Sequence, residues 1–249
     1  MTVSIALVCD APADRITIAT LAERVIREAA PWVEPETIGD YVEWRGYLRV
    51  DSHLEWTDLN RYVKEHSLVV RFSGVKPLQP YSQTALRAIR VLAVTPDRVD
   101  AIVLVPDSDT KEDRLKGLEQ ARDYVKAPFP IIVGLAHTKR ECWHISGFEP
   151  ENDTEHKILS ELRSELGFDV RTQSEELTAK HRDTIDKRSA KRVLAKLCGN
   201  NTEREQRCLT ALSITELKKR GENNGLAPFL DELTTRLVPL FTHIPLTGN

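Results

Sequence analysis

Three short runs of this chain, residues 2–9, 101–105 and 131–135, are apolar at almost every position and rich in β-branched side chains. A strand with one wet face alternates apolar and polar residues. Runs this uniform belong to strands covered on both faces, as in a parallel sheet packed between helices. Helical patterns fill the gaps between them. From Arg15 to Ala30 the residues Ile18, Leu21, Ala22, Val25, Ile26 and Ala29 recur on one face, with Asp14 expected as the N-cap and Pro31 as the stop. Further helices are expected over Ser82–Ala93 and over about Lys111–Lys126. Strands alternating with helices predict an α/β fold with a mainly parallel sheet flanked by helices.

The 249 residues and an apolar content of 41% suffice for one sizeable domain, with or without an appendage. Trp32, Tyr41, Trp44, Tyr47, Trp56 and Tyr62 gather in a less regular stretch ending at Gly74, within which Leu68–Phe72 reads as a strand. Such a concentration serves base stacking or core packing, and the lack of interleaved basic residues favours packing. After Gly147 the texture changes to polar helices, expected at 154–166, 189–197, 202–220 and 227–240. The sequence therefore suggests an α/β domain at 1–150 and a helical, partly basic C-terminal region at 151–249. A net charge of −3 excludes a globally basic nucleic-acid binder, though not a local basic face. Cys9, Cys142, Cys198 and Cys208 show no C-x-x-C spacing, and neither a signal peptide nor a membrane-length apolar run is seen. A soluble, cytoplasmic protein without a membrane partner is expected.

The run at 101–105 stops on Pro106-Asp107-Ser108-Asp109. Two carboxylates one residue apart at the carboxyl end of a strand suit a hard divalent cation such as magnesium. Ligands of open parallel sheets bind beyond those carboxyl ends, and Asp10 holds the corresponding place after the first strand. Carboxylates gathered in one pocket repel one another and call for a neutralising cation. The structural alternative is a turn or helix cap ahead of Lys111, since Asp and Ser favour both. Other chemistries find less support. His137, Cys142 and His144 match no common zinc spacing, no G-x-S-x-G elbow is present, and the glycines include no G-x-x-x-x-G-K loop.

The order of these elements resembles the TOPRIM domain of topoisomerases, primases and nucleases of the overcoming-lysogenization-defect class, a Rossmann-like fold. That family carries a Glu-Gly-x-x-Asp turn after its first strand and an Asp-x-Asp after a later one. Here Asp10-Ala11-Pro12-Ala13-Asp14 is similar to the first motif, with Asp10 at the glutamate position and Ala11 at the glycine, and Asp107-Ser108-Asp109 matches the second. After the last strand, Glu141-Cys142-Trp143 resembles the Glu-x-Trp segment of a TOPRIM-like family found in prokaryotic defence loci. The resemblance spans about residues 1–148. It implies magnesium or manganese held by Asp10, Asp107 and Asp109, with Glu141 as a further catalytic acid, and cleavage of a phosphodiester. It also implies an ATPase partner within an antiviral defence complex. For Glu141 the alternative is a solvated helix position or an ion pair with Lys139 or Arg140.

Between residues 180 and 207, Lys180, Arg182, Lys187, Arg188, Lys191, Arg192, Lys196, Arg204 and Arg207 face only Asp183, Asp186, Glu203 and Glu205. Lys187, Arg188, Lys191 and Arg192 lie along one expected helix, a stripe suited to sequence-independent contact with nucleic-acid phosphates, DNA foremost. A solvated helix face is the alternative. Three functions thus stay open: a metal-dependent nuclease, a catalytically inactive TOPRIM-like scaffold subunit favoured by the altered residues at Asp10 and Ala11, and a receiver-like phosphoacceptor. The sequence leaves self-association open.

Overall fold

A computed structural model describes residues 2–33, 35–74, 77–179 and 186–242. The chain forms two compact units, one of Met1–Pro106, Glu112–Gly134 and Asp231–Asn249, the other of Asp107–Lys111 and Leu135–Leu230. This division crosses the chain repeatedly instead of cutting it once near residue 150. One reason is local to the first unit: Glu232 accepts hydrogen bonds from the Arg122 guanidinium (3.0 Å) and the Val133 amide (3.4 Å), so the chain returns to the sheet near its end.

The first unit holds five strands among the described residues, β1 (Val3–Cys9), β2 (Val42–Arg45), β3 (Leu54–Glu55), β4 (Ala101–Leu104) and β5 (Ile131–Val133). Their order is β2-β1-β4-β5, with β3 also on β1, and every pairing is parallel. Val8 lies opposite Leu104, and the Val105 amide extends the ladder to the Val8 carbonyl at 3.0 Å. Helix α1 (Pro12–Ala29) follows β1. Its N-cap is Ala11, in place of the expected Asp14: Pro12 takes the first helical position, where its missing N–H is no loss, and Asp14 falls in the first turn, where the helix dipole favours a carboxylate.

The short helices α2 (Ile38–Tyr41) and α3 (Leu59–Glu65) precede α4 (Ser82–Leu92), and α5 (Arg114–Val125) follows β4. Ala6, Val8, Ile102, Leu104, Ile131 and Val133 share a core with Leu86, Ile89, Leu118 and Ala121 of α4 and α5. Strand alternation turns Ile5, Leu7, Val103 and Ile132 to the opposite face, which is also buried. The aromatic stretch is packing, as expected: Trp44 and Tyr47 are buried, and Trp32 meets Tyr41 edge to face at 5.2 Å. Residues 68–72 form no strand. Leu68, Val70 and Phe72 lean on the core, but the Val70 carbonyl is taken by the Gln83 side chain at 2.7 Å and Val69 is exposed.

The second unit contains α6 (Arg140–Ser146), α7 (Asp153–Leu166), α8 (Ala190–Cys198), α9 (Thr202–Cys208), α10 (Ile214–Arg220) and most of α11 (Leu226–Glu232). Asn152, Ser189, Asn201 and Ser213 cap α7 to α10, each accepting from an amide three residues on. The cap at Ser213 divides the single helix expected over 202–220 into α9 and α10. The helix expected over 227–240 is divided too, by a π-helical turn at Leu233–Leu237 ahead of α12 (Pro239–Thr242), both in the first unit. Cys142, Ile145 and Phe148 of the α6 segment pack with Leu162, Val193 and Leu197 in the core of this unit. Among the described residues no helix is long and apolar enough to cross a membrane.

Candidate functional site

The residues after β4 and β5 meet in the second unit. Asp107 forms an isolated parallel bridge with Ala136, and the Ser108 and Asp109 amides donate to the carbonyls of Ala136 (2.9 Å) and Thr138 (3.2 Å). Ser108 is the fixed point of the turn. Its hydroxyl is fully buried, lies 2.7 Å from His137 Nδ1 and accepts from the Thr110 amide at 3.2 Å, while its carbonyl takes the Lys111 amide at 2.8 Å. Held this way, Asp109 and Thr110 adopt left-handed backbone, with φ of 46° and 70°. Asp tolerates that region; a β-branched threonine does so only against about 1–2 kcal/mol of strain. Strained turns persist where their surroundings over-determine them, and functional sites are common among such places.

The charges around this turn belong to the segment that opens α6. The Arg140 amide donates to Asp107 Oδ1 at 3.0 Å, so Asp107 supplies a carboxylate to the first turn of the helix. Asp109 is about half exposed, and Lys139 Nζ, on a side chain only 8% exposed, lies 3.9 Å from its Oδ1. Glu141 is buried with its Oε1 3.6 Å from Arg140 Nη2. It is therefore an ion-paired helix residue and not a solvated one. Arg140 Nη1 also reaches Glu205 Oε1 at 2.8 Å and His144 Nε2 at 3.0 Å. His144 is fully buried, and its Nδ1 donates to the Glu205 carbonyl at 3.0 Å, which leaves Nε2 as the acceptor. Burial, reinforced by the Arg140 charge, lowers its pKa to about 3, so the ring is neutral.

Sequence reasoning placed four acids at one edge. The structure puts Asp107, Asp109 and Glu141 in the second unit, while Asp10, exposed after β1, stands in the first. It also adds residues that composition and motif did not single out. In the sequence Ser108 marks only a turn, and Lys139 and Arg140 only partners for Glu141. No motif marks Asn224. Its side-chain amide nitrogen reaches the Cys142 carbonyl (3.2 Å), Ser146 Oγ (2.7 Å) and Ser174 Oγ (2.8 Å), and its backbone carbonyl accepts from the His137 amide and from Trp143 Nε1, both at 2.9 Å. The available signal is the dipeptide Asn224-Gly225: Gly225 has φ of 84°, and a Cβ there would lie 1.9 Å from the Leu135 carbonyl oxygen.

Magnesium prefers one or two carboxylates, with water and substrate oxygens completing its shell. Asp107 and the half-exposed Asp109 supply that donor set, whereas among the described residues no group of three or more His, Cys, Asp or Glu side chains is arranged to hold an ion. The carboxylates of this turn match in number the one or two that magnesium takes beside water and substrate oxygens, and do not form a closed protein cage.

Of the proposed basic stripe, Lys187, Arg188 and Lys191 are exposed, but only Lys191 and Arg192 lie on α8: its N-cap is Ser189, so Lys187 and Arg188 stand in the turn before it and the four do not line one helix. Arg188 stands 3.5 Å from Glu176, and Arg192 donates to Glu165 at 2.9 Å, so the two arginines are partly neutralised within their own unit. Lys180 and Arg182 lie outside the described residues, as does Asp183. No family model matches this chain, and no curated protein or solved structure matches it.

Proposed function

We propose that this chain is a TOPRIM-like, magnesium-dependent phosphodiesterase acting on nucleic acid. The observation that supports this reading is the strained Asp107-Ser108-Asp109-Thr110 turn, which holds a half-exposed carboxylate beyond a parallel sheet strand with a buried lysine 3.9 Å away. Asp107 and Asp109 would hold magnesium or manganese. When bound, such an ion polarises the scissile phosphate and lowers the pKa of bound water.

The chain's own residues have separate tasks. Ser108 fixes the turn and orients His137 through the 2.7 Å contact. Lys139 supplies positive charge beside Asp109, where a phosphate oxygen approaching the turn gains from it. Glu141 acts through Arg140 as a positioning residue, since Arg140 carries both the Glu141 contact and the amide that fixes Asp107. Lys187 and Lys191, exposed in the same unit, would hold the nucleic-acid backbone with Arg188 and Arg192. The part of Asp10 in metal binding, the ATPase partner and the setting in an antiviral complex rest on the family resemblance.

A second reading has its own observation. Asp107 caps α6 and Glu141 is neutralised by Arg140, which is how an inactive interaction subunit would retain the same acids. Purified protein incubated with plasmid and single-stranded DNA or RNA separates the two. Cleavage with magnesium or manganese that EDTA abolishes supports the enzyme; uncut substrate under every condition, also with the neighbouring gene product present, supports the scaffold.

A further inference from the structure

We infer that Cys198 and Cys208 are a reversible modification site, closing to an intramolecular disulfide when a hydroperoxide reaches the second unit. The two residues end α8 and α9, and their sulfurs are 3.8 Å apart in a shared apolar core. The sulfurs are thus already in contact, and a disulfide brings them to about 2.0 Å. The other two thiols have different neighbours. Cys142 Sγ donates to the Ser174 carbonyl at 3.2 Å, and Cys9, in the first unit, donates to the Ala11 carbonyl at 3.5 Å.

A cation favours thiolate chemistry at the pair, for Arg204 Nη1 lies 3.9 Å from Cys208 Sγ. The shared hydrogen bond lowers the pKa of Cys198 and raises that of Cys208, and Cys198 is also the less buried of the two. Cys198 is thus the attacking thiolate. It takes the terminal peroxide oxygen as the O–O bond breaks, giving a sulfenic acid, and the departing alkoxide or hydroxide is protonated to alcohol or water. The Cys208 sulfur then attacks the sulfenic sulfur. The S–S bond forms, the S–O bond breaks, and hydroxide leaves with the Cys208 proton as water. Two thiols lose two electrons and two protons, and the hydroperoxide is reduced. The new bond would tie down all of α9, including Glu205, whose carboxylate holds Arg140.

The test uses the full chain, reduced, freed of reductant and titrated with hydrogen peroxide under native conditions, then digested without reduction and mapped by mass spectrometry. The expected result is one cross-linked peptide pair joining Cys198 to Cys208, reversed by dithiothreitol and accompanied by a rise in Tm. Because a Cys→Ser change in this core can itself unfold it, the wild-type map decides, and Cys9→Ser, which keeps both thiols, should give the same cross-link. Recovery of both thiols unmodified, at a peroxide excess that cross-links the urea-unfolded chain, would overturn the inference. So would a cross-link through Cys142 in place of this pair.

Discussion

Around residues 149–155, three carboxylates are each clasped by arginine. Arg204, only 4% exposed, holds Glu155 through two bonds of 2.9 and 2.8 Å and also reaches the Glu149 carbonyl; Arg207 chelates Glu151 at 3.0 Å; Arg220 and Arg171 meet Glu149 at 2.5 and 3.3 Å. At residues 107–109, forty positions earlier, Asp109 is half exposed and the buried Lys139 stands 3.9 Å away, beyond an ordinary hydrogen bond. Both regions are acid-rich and belong to the second unit. The difference lies in the geometry of the pairing: the first region chelates its acids with arginines at hydrogen-bond distance, whereas the lysine beside the half-exposed Asp109 stands farther off.

The contrast is broken most severely by Arg204→Ala, which leaves Glu155 facing a buried gap and removes the cation over the Phe148 ring (4.4 Å). A loss of about 3 kcal/mol is expected, read as a lower midpoint in urea unfolding. Asn224→Ala should cost about 2 kcal/mol, because Ser146, Ser174 and the Cys142 carbonyl lose a buried donor in one step. Acid should weaken this unit in two stages. His144 has its folded pKa depressed to about 3 by burial and by Arg140. Its contribution is whole above its unfolded value of about 6.5 and is lost as the pH falls toward the folded value. Glu155, whose pKa is lowered chiefly by its hydrogen bonds to Arg204, adds a loss that begins only below the ordinary glutamate range, near pH 4. His144→Gln should therefore flatten unfolding free energy against pH between 4 and 6.5, by at most about 1.4 kcal/mol per pH unit. Thr110→Gly is the smallest expected effect and has the opposite sign. Relief of the left-handed strain at φ of 70° should stabilise the chain by about 1 kcal/mol while reducing cleavage, because the turn loses its fixed shape.

How much of this was legible depended on where each residue's partners lie. Strands β1, β4 and β5 announce themselves because burial on both faces removes almost every polar residue from the run, Ser4 in β1 excepted, as in Ile102, Val103 and Leu104. β2 hides because Glu43 and Arg45 interrupt it; pairing with β1 from Val3↔Val42 to Ala6↔Arg45 defines it, and no local pattern does. The reverse error at residues 68–72 has the same origin, since apolar alternation reports packing and a strand also needs a neighbour for its amides. At the site, the Asp-Ser-Asp spacing was visible, and so was the ion-pair alternative for Glu141. The Ser108–His137 contact and the Asn224 hub were not, for each joins residues far apart in sequence, and neither was the left-handed turn, which is held by the distant Ala136 and Thr138 carbonyls.

The claim that residues 107–109 are a working site, and no second clasp, is tested most directly by Asp109→Asn, assayed for magnesium-dependent cleavage and for Tm in the same preparation. The account predicts cleavage reduced by about 100-fold or more, with stability changed by less than about 1 kcal/mol because the side chain is half exposed. Cleavage equal to wild type, or a large loss of stability with unchanged cleavage per folded molecule, would contradict it.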